Sequence, residues 1–102
     1  MPVVIARVHP EPGRLQEVLD IYAEAVPLVH QEPGCELFAL HTDRTSIFVV
    51  ERWTTDEDLA VHSAGPTFAR TRARAEGLLS APADVWVLDA LPFGDPLKGV
   101  IQ

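Results

Sequence analysis

Glu51, Trp53 and His62 lie close together in the stretch VVERWTTDEDLAVH, Val49 to His62, and their types suit acid–base chemistry beside an aromatic surface. An imidazole titrates at about pH 6.5 in peptides, so a neutral histidine can accept a proton at working pH, while a neighbouring carboxylate orients it and stabilises its cation. An indole offers a flat apolar wall suited to an aromatic ligand. The plain alternative is a core histidine hydrogen-bonded to Glu51 or to a backbone carbonyl, with Trp53 as packing. The three residues alone leave both readings open.

Local pattern decides whether they can meet. Ser46 to Trp53 reads as a strand, in which side chains two apart share a face, so Glu51 and Trp53 point the same way. Thr55 followed by Asp58 resembles a capping box and starts a helix near Asp56. His62 lies three residues beyond Leu59 on that helix and faces inward with it.

The remaining elements follow from periodicity. Pro2 to His9 alternates as a strand and is broken by HPEPG. From Arg14 to about Gln31, apolar residues including Leu15, Val18, Tyr22 and Val29 recur at helical steps, with Pro27 expected to kink or end the helix. EPGC, Glu32 to Cys35, reads as a tight turn with Gly34 suited to a type II position. Cys35 to Thr42 pairs with Ser46 to Trp53 across DRT as a hairpin. After Gly65 and Pro66 the helix is expected to continue through about Leu79, SAPAD to end it, and Val85 to Leu91 to form the last strand. Strand, helix, strand, strand, helix, strand predicts an α+β, ferredoxin-like βαββαβ fold: a four-stranded antiparallel sheet with both helices on one face.

At 102 residues the chain, 1–102, is expected to be a single domain. Its strands are apolar on both parities, Ile47 and Val49 against Phe48 and Val50, Val85 and Val87 against Trp86 and Leu88. Helices cover one face only. A second copy packed sheet to sheet is the simplest cover for the other, so a homodimer is expected, with residues 91–102 as a C-terminal tail placed to contact the partner subunit.

Composition narrows the partners. A net charge of -7 with eight Lys and Arg spread along the chain argues against nucleic acid and anionic membranes. No apolar run approaches the roughly 20 residues of a membrane helix, and Met1 to Pro12 lacks the pattern of a signal peptide, so a cytoplasmic protein is expected. Cys35 is the lone cysteine and is read as a small buried hydrophobe. His9, His30 and His41 fall on separate elements without ligand spacing, so no metal site is expected. Arg70, Arg72 and Arg74 read as a solvated helix face, and Gly94 to Gly99 lacks the context of a phosphate cradle.

Glu32 to Phe68, EPGCELFALHTDRTSIFVVERWTTDEDLAVHSAGPTF, resembles the antibiotic biosynthesis monooxygenase family: E-P-G-C before strand two, E-x-W ending strand three and a histidine on the second helix. ARVHPEPGRLQEVL and GDPLKG are also similar, notably to its quinol monooxygenase branch. The resemblance implies a dimeric α/β barrel and oxygenation of quinols or hydroxylated polycyclic aromatics by O2 without a cofactor. It makes His62 the base or proton shuttle, Glu51 its partner and Trp53 a pocket wall, with Phe68, Tyr22 and Phe38 as further substrate-binding residues. Haem-degrading relatives are disfavoured, since Arg72 stands at their haem-binding histidine and Ala6 at their strand-one asparagine. Two other functions fit the same fold: a non-catalytic small-molecule-binding or stress-related dimeric barrel, and an isomerase or lyase on a lactone or polyketide.

Overall fold

Alternating burial along the strands and apolar stripes on the helices build seven elements. In a computed structural model describing residues 1–101, these are β1 (Pro2–Pro10), α1 (Leu15–His30), β2 (Cys35–Thr42), β3 (Ile47–Trp53), α2 (Asp56–Ala64), α3 (Pro66–Ala75) and β4 (Leu79–Asp89). The strands form one antiparallel sheet in the order β2-β3-β1-β4, the expected ferredoxin-like α+β arrangement. On β3, Ile47, Val49, Glu51 and Trp53 are buried while Phe48, Val50 and Arg52 between them are half-buried. Residues paired across strands share a face, so Val4 opposite Glu51 and Val8 opposite Ile47 complete the side that the helices cover.

The core sits between α1 and this face, where Val29, Phe38, Val49 and Trp53 pack together and Val8, Val18 and Ile47 form a second cluster. Here α1 departs from expectation, for it continues through Pro27 to His30. Proline inside a helix costs roughly 3 kcal/mol. The last turn is held by tertiary contacts that offset this: Val29 is buried in the core, and His30 Nε2–H donates to the Phe38 carbonyl (2.9 Å).

The C-terminal third also differs. The helix expected to reach Leu79 ends at Ala75, because Gly77 takes left-handed backbone at φ 84° and Leu78 N–H closes a turn on the Ala75 carbonyl (3.0 Å). Strand β4 therefore starts six residues before the expected Val85 and stops at Asp89 rather than Leu91, with SAPAD inside it. Pro82 is tolerated because β4 pairs only with β1, and an edge strand leaves one row of N–H groups free of the ladder.

The face away from the helices carries Ile5, Phe48, Val50, Trp86 and Leu88, of which Trp86 and Leu88 are exposed. From the tail, the Ile101 carbonyl accepts a hydrogen bond from the Arg52 guanidinium on this same face; Gln102 lies outside the described residues. Among the described residues, no helix is long and apolar enough to cross a membrane.

Candidate functional site

The site is assembled by two turns docked at the base of the β2–β3 hairpin. Thr55 caps α2 by accepting from the Asp58 N–H (3.1 Å), which sets the helix phase and turns His62 inward to 4% exposure. The second turn is Glu32 to Cys35, closed by Cys35 N–H on the Glu32 carbonyl (3.2 Å). Gly34 adopts φ 77° there, and a Cβ at that position would collide with the Asp58 carboxyl. Its carbonyl accepts from Thr54 N–H (2.9 Å), pinning the turn beside the end of β3. A bulge between Cys35 and Leu37 adjusts β2 to this docking.

His62 consequently lies in a shell of aromatics and carboxylates. Its ring stacks on Trp53 at 4.6 Å between centroids and 29° between planes. Phe38 and Phe68 meet it edge-on at 5.8 and 5.6 Å. Nδ1 is 3.0 Å from Glu32 Oε1. Nε2 is 3.8 Å from Glu51 Oε1, an ion-pair distance but too long for a hydrogen bond. Glu51 instead accepts from the Trp53 indole N–H (3.0 Å). Glu51, the expected partner, thus stands at ion-pair distance from Nε2, while the hydrogen bond to the ring comes from Glu32, which the expectation did not include.

Electrostatics separate the two carboxylates further. Burial pushes the Glu51 carboxyl above its ordinary value and Glu32 adds to this, against the opposing Trp53 N–H and His62. Glu32 is anchored by one oxygen only, for its Oε2 is buried without a hydrogen-bond partner among the described residues. A carboxylate oxygen that accepts from Nδ1–H would leave the Nε2 lone pair on the Glu51 side of the ring. Cys35, half-buried rather than fully buried, has its thiol pushed up by burial and then by Glu32 and Glu51, which disfavours the nucleophilic thiolate.

Below these groups a cleft of about 810 Å³ runs between the sheet and α3, lined by apolar side chains together with Tyr22, Phe38, Glu51, His62, Phe68 and Arg72. Its size falls within the roughly 300–1,000 Å³ of small-molecule pockets. Tyr22 borders it with a phenol raised by burial, partly countered by Arg72. Arg72, exposed as expected of a solvated helix face, also has its guanidinium 5.7 Å over the Phe68 ring at the edge of the cleft. Trp53, behind His62, is fully buried and supports the wall rather than lining it. The other expected site residues, His62, Glu51, Phe68, Tyr22 and Phe38, all border the cleft.

Comparison with known proteins decides the family. Residues 1–74 match the family described as antibiotic biosynthesis monooxygenase. The chain belongs to that family. Among solved structures, an antibiotic biosynthesis monooxygenase is similar at 28% identity and TM-score 0.82, covering 90% of this chain and 100% of that one. Rv0793 from Mycobacterium tuberculosis is similar at 28% identity and TM-score 0.83, covering 93% and 100%. PA3566 from Pseudomonas aeruginosa is similar at 26% identity and TM-score 0.81, covering 88% and 93%. No curated protein matches the chain by sequence. The matched segment of the antibiotic biosynthesis monooxygenase family contains every site residue from Tyr22 to Arg72. Glu32 was the residue that pattern reading missed; its signal is the E of E-P-G-C, an acidic residue placed ahead of a glycine turn that docks against E-x-W.

Proposed function

We propose that this chain is a cofactor-independent monooxygenase oxidising a quinol or hydroxylated aromatic with O2. The observation that carries the proposal is His62, buried in the aromatic wall of the cleft with a carboxylate at each ring nitrogen. An aromatic hydroxyl entering the cleft meets Nε2 as its base. The resulting imidazolium is stabilised by Glu32 through Nδ1–H and by Glu51 beside Nε2–H, and burial strengthens both attractions. Deprotonation leaves an electron-rich anion that can itself reduce dioxygen. For a 1,4-dihydroxy aromatic the balance closes without another reductant. One oxygen atom enters the ring as a hydroxyl, the other leaves as water with two substrate hydrogens, and the substrate supplies all four electrons as it becomes a hydroxyquinone.

The working unit is a homodimer joined through the open sheet face, a reading supported by exposed Trp86 and Leu88 on that face. Sedimentation at micromolar concentration showing only an 11.2 kDa species would contradict it.

Oxygen uptake by the metal-stripped, flavin-free protein with a panel of hydroquinones and anthrones tests the chemistry. Uptake above background, with no oxygen returned by catalase, is expected, since water rather than peroxide is the second product. Product formed equally under strict anaerobiosis would assign an isomerase or lyase instead, and tight binding without turnover a binding protein.

A further inference from the structure

The arginines at 70, 72 and 74 look alike in sequence, but helical geometry separates them. Arg70 and Arg74 are four residues apart on one side of α3 and border a shallow depression with Glu24 on α1, where Arg74 pairs with Glu24. Arg72 lies on the other side and borders the cleft. It is the one Lys or Arg among the cleft-lining residues, and among the described residues it forms no salt bridge. Glu76, one turn later, also borders the cleft without pairing with it. The Arg72 guanidinium is held over the Phe68 ring, the same ring that meets His62 edge-on. One aromatic ring therefore lies between Arg72 and the Glu51–His62 pair that borders the cleft, with Glu32 behind His62 and outside the lining.

From this polarity we infer that Arg72 selects substrates carrying an anionic group, a carboxylate above all, one ring away from the hydroxyl that His62 deprotonates. The inference rests on the functional reading given above and narrows its substrate class. A guanidinium is suited to carboxylates because its fork of N–H donors can engage both oxygens. Glu51, on the far side of that ring, repels the same group, so charge fixes which way round the substrate enters. The half-buried Tyr22 phenol, near enough to Arg72 to feel its charge, adds a hydroxyl donor on that side.

Anaerobic calorimetric titration with 1,4-dihydroxy-2-naphthoate and 1,4-dihydroxynaphthalene separates the possibilities. The native protein should bind the carboxylated probe at least ~10-fold more tightly, as expected for a charge-assisted pair. The Arg72→Gln variant, at an exposed position where folding is not at stake, should bring the two within about twofold, and Arg72→Lys should keep an intermediate preference. Equal affinities in the native protein, a preference that survives in Arg72→Gln, or no binding of the carboxylated probe would each overturn the inference. Oxygen uptake separates it from the broader reading. A carboxylate preference without turnover removes the oxygenase and keeps the anion site, whereas turnover with equal affinities does the reverse.

Discussion

The tip and the base of the β2–β3 hairpin both carry carboxylates, treated in opposite ways. At the tip, Asp43 is exposed and its Oδ1 accepts from the backbone N–H groups of Thr45 (2.9 Å) and Ser46 (2.6 Å). Those donors, Ser46 first, hold its carboxyl below its ordinary value. Thr42 Oγ1 donates to the Ser46 carbonyl (2.6 Å) and Arg7 Nε to the Ser46 hydroxyl (3.1 Å), so the turn is satisfied throughout. At the base, Glu51 is buried with its carboxyl raised, and Glu32 leaves one buried oxygen unpartnered. The tip satisfies its carboxylate fully, alongside a left-handed backbone at Arg44 (φ 75°). The base keeps a desolvated arrangement that opposes stability, in keeping with the proton transfer proposed above.

Replacing the anchor at the base should have the largest effect. A hydrogen bond to a charged group contributes about 1.5–3 kcal/mol, so Glu32→Gln is expected to lower oxygen uptake roughly 10- to 100-fold. Circular dichroism of the variant should be unchanged; an unaffected rate would detach Glu32 from the chemistry.

Next comes the stability contrast between the two carboxylates. A raised folded pKa means the native state holds its proton longer than the unfolded chain, so the contribution of Glu51 is full below 4.5 and is lost as pH rises through the folded value. Glu51→Gln should therefore gain stability relative to the native protein at neutral pH, the gain vanishing in acid, as urea midpoints across pH 4–8 (an approximate working range) would show. Asp43→Asn should give the smaller effect with the opposite sign. A lowered folded pKa contributes stability above 3.8 that disappears as pH falls through the folded value. The variant should be slightly less stable at neutral pH and converge with the native protein in acid.

How legible each part was in the sequence follows from how local its cause is. Thr55 and Asp58 announced α2, and the two-residue period of β3 aligned Glu51 with Trp53, so the inward turn of His62 followed from neighbouring residues. Glu32 reaches His62 across thirty positions through a turn docked on Thr54, a tertiary fact that no local period encodes. β4 was truncated because Pro82 and SAPAD read as a breaker, whereas the free edge of the sheet accommodates them. Pro27 was overruled by the packing of Val29. Three arginines of one type were sorted only by the side of α3 on which each falls.

The most direct test of the account is whether His62 takes the aromatic proton before oxygen is involved. Anaerobic ultraviolet–visible titration of the native protein with a hydroxylated aromatic that binds should show the phenolate band at neutral pH, and His62→Ala should bind the same compound without it. A phenolate of equal intensity in both proteins would contradict the assignment of His62 as the base.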